Sequence, residues 1–277
     1  MLTYPNIDPV AFTVFGWPVR WYGVCASAGL SLGWVMMRHY NAKYAPYFLK
    51  PIQPQHIDNV MPYLIICIVL GGRLGHLLFY DLDCFMQNPI LFFRIDRGGF
   101  SIHGDIIGGG TALYAYSKRH NLPFGLLCDI TAVSFPIGLS IVRIGNFINA
   151  ELYGRVTHSG WGMVFPGHKH PRHPSQLYEA FFEGIVLFIL LRILFPYAVK
   201  RRLNGLIAGV FFFGYALARF FVEYVREPVD GEFRVFGFIY SYGQILTAPM
   251  IVIGAFMCIR ILFWKKPVQT FGTCQSL

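Results

Sequence analysis

LCDITAVSFPIGLSIVRIGNFINAELYG, residues 127–154, joins an apolar stretch to a polar one without a break. The first part, 127–148, is long enough to cross ~30 Å of hydrocarbon, for which ~20 residues are needed. The second part, RIGNFINAELYG at 143–154, begins before the apolar window ends. A cluster of Arg, Asn and Glu is therefore set at one edge of a bilayer.

The rest of the chain repeats the apolar half of this pattern. Of 277 residues, 55% are apolar, 17% aromatic and 13% charged, and the mean hydropathy is +0.49. A soluble domain usually carries about 25% charged residues, so this chain belongs in lipid. Apolar windows fall at 21–37, 60–80, 100–117, 127–148, 177–195, 205–225 and 243–263. The expectation is one all-α domain over residues 1–277, a polytopic membrane helical bundle of about seven transmembrane helices. The first residues lack the basic n-region of a secretory signal peptide, so the first window is expected to be a retained span. Glycine-rich stretches, GGRLG at 71–75 and GDIIGGG at 104–110, suit close helix packing, and GGRLG and GGGT at 108–111 are candidates for small-residue faces beside a lateral opening. No internal repeat is visible, which weighs against the repeat-built transporters.

Charge gives orientation. The net charge of +9 is dispersed over short runs, RHYNAK at 38–43, SKRH at 117–120, KRR at 200–202 and WKK at 264–266, with no long stripe for nucleic acid. Arg38, Lys43, Lys50, Lys118, Arg119, Lys200, Arg201, Arg202, Lys265 and Lys266 fall in one set of loops, where Asp58 is the clear acid. The other set is longer and carries Asp8, Asp81, Asp83, Asp96, Glu227, Asp230 and Glu232. The positive-inside bias predicts an N-terminus outside, a cytoplasmic C-terminus and an external loop 149–176 between spans four and five. Attraction of the basic runs to anionic lipid is a second reading. Cys25, Cys67, Cys84, Cys128, Cys258 and Cys274 form no CxxC pair or Cys/His cluster and read as small packed side chains.

With that orientation the polar residues inside the spans fall at one depth. Tyr22, Arg73, His76, Ser101, His103, Asp105, Arg143, Asn146, Asn149, Glu179, Glu183, Arg219, Glu223 and Arg226 all lie in the outer half. An ionisable group at the bilayer centre costs ~3 kcal/mol on insertion scales. Such a set from six spans implies a polar cavity towards the outer leaflet, with arginines suited to a phosphate. Blander readings stand beside it: Arg219 and Glu223 at i, i+4 neutralise each other, Glu179 and Glu183 pair with neighbouring arginines, or arginines snorkel to headgroups. Within 143–154, Arg143 and Asn146 share a helix face, with Asn149, Glu151 and Gly154 following the helix end. These groups suit a lipid phosphate and glycerol oxygens, or simply cap a helix.

At this run the sequence resembles the bacterial prolipoprotein diacylglyceryl transferases, whose signature G-R-x-G-N-F-x-N-x-E-x-x-G is matched by VRIGNFINAELYG at 142–154. The resemblance extends through RWYG at 20–23, GGRLGHLLFYD at 71–81, GGFSIHG at 98–104, RHPSQLYE at 172–179, GYALARFFVEYVREP at 214–228 and GQIL at 243–246. Val142 and Asp105 stand where the family has Gly, and the loop between Arg155 and Arg172 is short for it.

The resemblance implies transfer of the sn-1,2-diacylglyceryl group of phosphatidylglycerol to the lipobox cysteine thiol of a prolipoprotein, with release of glycerol phosphate. It implies His103 as general base, with Arg143 and Arg219 on the phosphate. Asn146 and Glu151 would position the headgroup or Arg143, and Glu223 would orient Arg219. Tyr22 would hydrogen-bond the lipid, and Gly154 would permit close backbone approach. The implied setting is the bacterial inner membrane. Partners are phosphatidylglycerol, the prolipoprotein signal peptide and membrane lipids. No cofactor, metal or nucleic acid is expected: the paired-aspartate motif of CDP-alcohol phosphotransferases, HExxH and a Cys/His set are all missing from the sequence. Two other classes remain open on the residues alone. An acyltransferase built on an intramembrane His would use His103 and leave the arginines without a phosphate. An anion transporter would use arginines as its filter, with polar groups near midplane.

Overall fold

The computed structural model describes residues 2–94, 98–228, 232–235 and 238–264. Asp96, Asp230, Lys265, Lys266 and Cys274 lie outside the described residues. Each of the expected windows falls on a helix: α1 Trp21–Tyr44, α2 Pro54–Phe79, α4 Ile102–Arg119, α5 Phe124–Ile148, α6 Ser175–Lys200, α7 Leu206–Val222 and α8 Tyr242–Trp264, with a short α3 at Leu82–Gln87 between α2 and α4. Of these, α2, α5, α6 and α8 are long and apolar enough to cross a membrane by length and composition alone, and α7 is apolar but shorter at 17 residues. The polar and small residues of α1 and α4 keep them below that standard.

Glycine decides how the helices meet. A Cβ on Gly71 of α2 would lie 2.5 Å from the Gly104 carbonyl of α4, and one on Gly75 would lie 2.7 Å from the Gly104 Cα. A Cβ on Gly29 of α1 would lie 2.9 Å from the Gly138 carbonyl of α5. Without a hydrophobic drive between helices in lipid, such backbone-on-backbone approach supplies the van der Waals contact. The expected small-residue face is thus taken up largely by the α2–α4 contact, although Gly110 of the GGGT run has nothing within 4 Å of its notional Cβ. These contacts run antiparallel, so α1, α4, α6 and α8 begin at the end where α2, α5 and α7 finish.

A second device fixes the depth of α7. Asp129 of α5 is 2% exposed, and its carboxylate accepts the N–H groups of Gly205 (2.7 Å) and Ala208 (2.9 Å) at the start of α7. A carboxylate satisfies the orphan donors and the positive end of the helix dipole. From there α5 and α7 run side by side, and Asp129 to Arg143 spans the same number of residues as Gly205 to Arg219, roughly 21 Å at 1.5 Å per residue. Both arginines therefore emerge at one level.

The all-α expectation needs one correction. Among the described residues short strands add three two-stranded sheets, all at the end where α1 begins: β2 Val10–Val14 with β3 Trp17–Arg20, β1 Leu2–Thr3 parallel to β4 Met163–Val164, and β5 Glu232–Val235 with β6 Phe238–Ser241. In the β2–β3 hairpin, Phe15 (φ 49°) and Gly16 (φ 83°) both take positive φ, the turn that suits strand twist. The loop expected at 149–176 closes two residues earlier, because α6 starts at Ser175. It packs on Tyr4, whose hydroxyl donates to the Ile148 carbonyl (2.7 Å) at the end of α5.

Gly71→Val is expected to destabilise the protein by more than the about 1–3 kcal/mol usual for overpacking, since backbone cannot move aside, and so to lower the midpoint of thermal unfolding in detergent. Gly110→Ala should be neutral or stabilising. Equal midpoints for the two variants would contradict the packing described.

Candidate active site

At the end where α5 and α7 finish, six charged side chains interlock. Glu179, in the first turns of α6 and 1% exposed, faces Arg143 (Oε2 to Nε 2.6 Å), Arg219 (Oε1 to Nη1 3.3 Å) and Arg226 (Oε1 to Nε 3.4 Å). Glu183 lies 3.7 Å from Arg219, and Glu223 lies 3.1 Å from Arg219 and 3.6 Å from Arg226. Three guanidinium groups thus balance three carboxylates. The sequence brings Glu179 and Glu183 inward because α6 widens into a π-helical turn over Ala180–Val186, a distortion frequent at functional sites. Gly184 lets that turn close on Ser140 of α5, where a Cβ would lie 2.9 Å from the Ser140 Cα.

The polar run hangs from this cluster. Arg143 donates to the Asn146 side-chain oxygen (3.3 Å), and Asn146 donates to Glu151 (2.8 Å), which also accepts from Asn149 (3.4 Å). The helix ends in a tight loop with Ala150 and Leu152 at positive φ, held by Gln176 on the Glu151 carbonyl and Ser175 on the Leu152 carbonyl (2.9 Å). Glu151 therefore reaches Arg143 only through Asn146. Gly154 does meet a close backbone, but that backbone belongs to the protein. It donates to the His173 carbonyl at 2.8 Å, and a Cβ there would lie 2.8 Å from the His173 Cβ. Burial lowers the pKa of His173, whose Nδ1 lies 3.2 Å from the Tyr178 hydroxyl.

His103, in the first turn of α4, is 8% exposed, and neither ring nitrogen has a hydrogen-bond partner among the described residues. Its charged neighbour is Arg219. Tyr22 stands in the first turn of α1 with its Cα against Gly145, within electrostatic reach of Arg143, Glu151 and Asp105. Glu223 is doubly engaged, accepting from the Ser241 hydroxyl (3.1 Å) that also caps α8 through Gln244. Arg73 is drawn elsewhere. Its guanidinium donates to the carbonyls of Leu91 (2.6 Å) and Gly98 (2.6 Å), tying down the segment that leads into α4.

Two arginines expected on an anion thus differ in setting. Arg143 meets one carboxylate and its side chain is 16% exposed, whereas Arg219 meets three and is 8% exposed. The residue that sequence reasoning left among the bland pairings is Glu179, the hub of the cluster. Its place in RHPSQLYE, at the mouth of a span, was the available signal. Among the described residues no group of three or more His, Cys, Asp or Glu side chains is disposed to hold a metal ion.

Glu179→Gln leaves an uncompensated cation in the cluster, and breaking a buried pair costs about 3–5 kcal/mol. A fall in the unfolding midpoint is expected, larger than that of Glu227→Gln at the exposed Arg172 pair. Equal shifts would show that Glu179 is not the hub.

The sequence profile of the prolipoprotein diacylglyceryl transferase family matches residues 9–260. The chain is 43% identical over 257 residues to a phosphatidylglycerol–prolipoprotein diacylglyceryl transferase of Allorhizobium ampelinum, covering 92% of this chain and 90% of that one. It is 42% identical over 273 residues to the protein of that name from Photobacterium profundum, covering 97% of each. A third, from Agrobacterium fabrum, is 40% identical over 263 residues, 94% of each chain. With the polar run, its helix and the cluster around Glu179 in place, the chain belongs to the prolipoprotein diacylglyceryl transferase family.

Proposed function

We propose that this protein transfers the sn-1,2-diacylglyceryl group of phosphatidylglycerol to the lipobox cysteine thiol of a prolipoprotein, releasing glycerol phosphate. The observation that carries this reading is the family match over residues 9–260, which includes the 142–154 run and the helices that surround it. An acyltransferase or an anion transporter does not account for that match.

The chemistry divides among the residues as follows. A thiol of ordinary pKa ~8.5 must lose its proton, and His103 takes it, its imidazole, buried and without a hydrogen-bond partner among the described residues, supporting that role. The thiolate forms a C–S bond at the glyceryl C3 methylene while the C3–O bond breaks, and the electron pair leaves with glycerol phosphate. Arg143, the more exposed arginine, binds the phosphate as its charge builds. Arg219 supports the same charge from behind, oriented by Glu223. Asn146 and Glu151 hold Arg143 and the headgroup, Tyr22 hydrogen-bonds the lipid, and Gly154 keeps the loop close against residues 173 and 225.

We read the bundle as seven crossings in the bacterial cytoplasmic membrane, N-terminus outside and C-terminus inside, with the site towards the outer leaflet. The whole chain is one transferase domain, and its loop between α5 and α6 faces outward. The basic runs at the opposite loops support this orientation. Both substrates are membrane-borne, the lipid by its acyl chains and the prolipoprotein by its signal-peptide helix.

Purified protein given phosphatidylglycerol and a lipobox peptide should yield diacylglyceryl-peptide and glycerol phosphate. His103→Ala and Arg143→Ala should lose at least 100-fold in turnover, in line with general-base and oxyanion contributions of about 10²–10⁴. No product from a folded preparation, or product from a peptide lacking cysteine, would reject the assignment. A cysteine placed at Glu151 should react with an impermeant thiol reagent from outside; labelling only from the cytoplasm would reverse the topology.

A further inference from the structure

Asp105 stands in the first turn of α4, with its backbone N–H on the Ser101 carbonyl (2.9 Å) and its side chain half-buried. The Ser101 N–H in turn donates to the Gly72 carbonyl of α2 (3.0 Å). This sets the Asp105 side chain along the flank of the α2–α4 contact, where a Cβ on Gly72 would overlap its carboxylate oxygen Oδ1. Gly72 thus leaves the room in which the carboxylate lies. The other sides of that space belong to α1 and α5, since Asp105 is within electrostatic reach of Tyr22 and of Arg143.

The acids around Arg143 and Tyr22 differ in one respect. Glu179 and Glu183 face arginines, and Glu151 accepts from Asn146 (2.8 Å) and Asn149 (3.4 Å). No hydrogen bond or ion pair engages the Asp105 carboxylate among the described residues. A carboxylate within a span is costly without a donor. Beside Arg143 it would also repel the phosphate that the arginine binds. A donor lying between phosphate and carboxylate removes both difficulties. An ionised carboxylate can only accept, and the alcohol carried by the phosphate can supply the hydroxyl it needs.

We propose that Asp105 is a specificity-determining residue, which accepts a hydrogen bond from a hydroxyl of the headgroup glycerol while Arg143 holds the phosphate. The inference rests on the transfer proposed above and names what the site reads in the lipid besides its phosphate. The glycerol places its hydroxyls a few bonds beyond the phosphate, so one headgroup reaches from Arg143 to Asp105. A headgroup without a hydroxyl leaves the carboxylate bare, and a site built to bond a hydroxyl rejects the analogue that lacks it. Attraction of Asp105 to the positive end of α4 follows from its place in the first turn. That attraction is indifferent to the headgroup.

The test compares two lipids as donors to a lipobox peptide, with the full chain in detergent. One is phosphatidylglycerol; the other is phosphatidylpropanol, which has the same phosphodiester and no headgroup hydroxyl. The readout is the ratio of kcat/KM for the first to kcat/KM for the second. A misfolded fraction lowers both values and leaves their ratio unchanged. Wild type should give a ratio of roughly 10 or more, and Asp105→Ala should bring it down about 10-fold. Asp105→Asn keeps an accepting oxygen without the charge, so it should retain most of the ratio. An unchanged ratio in Asp105→Ala overturns the proposal. So does an equal fall in Asp105→Asn and Asp105→Ala, which would assign the effect to charge on Arg143. No product from either lipid in folded wild type rejects the transfer assignment itself, a result distinct from both.

Discussion

Glu179 faces Arg143, Arg219 and Arg226 from a position that is 1% exposed, and this arrangement constrains everything around it. In a medium of low dielectric the attraction between such groups is large, but so is the cost of taking each from water. The balance is favourable only when every charge finds its partners together. One guanidinium displaced along its helix by a turn would leave a bare carboxylate in apolar surroundings. The cluster therefore demands that α5, α6 and α7 arrive at a common depth.

The fold meets that demand at the far end of the same helices. The Asp129 carboxylate caps α7 and fixes it against α5, and the equal intervals from Asp129 to Arg143 and from Gly205 to Arg219 carry the two arginines to one level. Glycine does the corresponding work between α1 and α5 and between α2 and α4, where backbones touch and sliding would cause a clash. The network is then continuous from Arg143 through Asn146 to Glu151, and from Arg219 through Glu223 to the Ser241 cap of α8. Folding of the bundle and shaping of the site are the same event in this protein.

The two ends of the bundle differ in chemistry as a result. One end balances cations with carboxylates, so its arginines are positioned and partly neutralised, and Arg143 is the more accessible of the pair it forms with Arg219. The other end is basic, and there the buried Asp129 is consumed by a helix N-terminus.

The helices, the glycine contacts and the collection of polar groups at one end were legible in the sequence, because hydropathy, small-residue spacing and loop charge are local signals read along the chain. The 142–154 run was legible for the same reason, its residues lying on successive turns of one helix and the loop beyond. Tertiary structure alone decided that Glu179 joins three arginines, that Arg73 turns to backbone carbonyls, and that strands line one end. Those outcomes depend on the rotation and depth of each helix relative to the others. No periodicity within a single helix encodes them, because they are set by where backbones can touch and which buried charges can be satisfied at once.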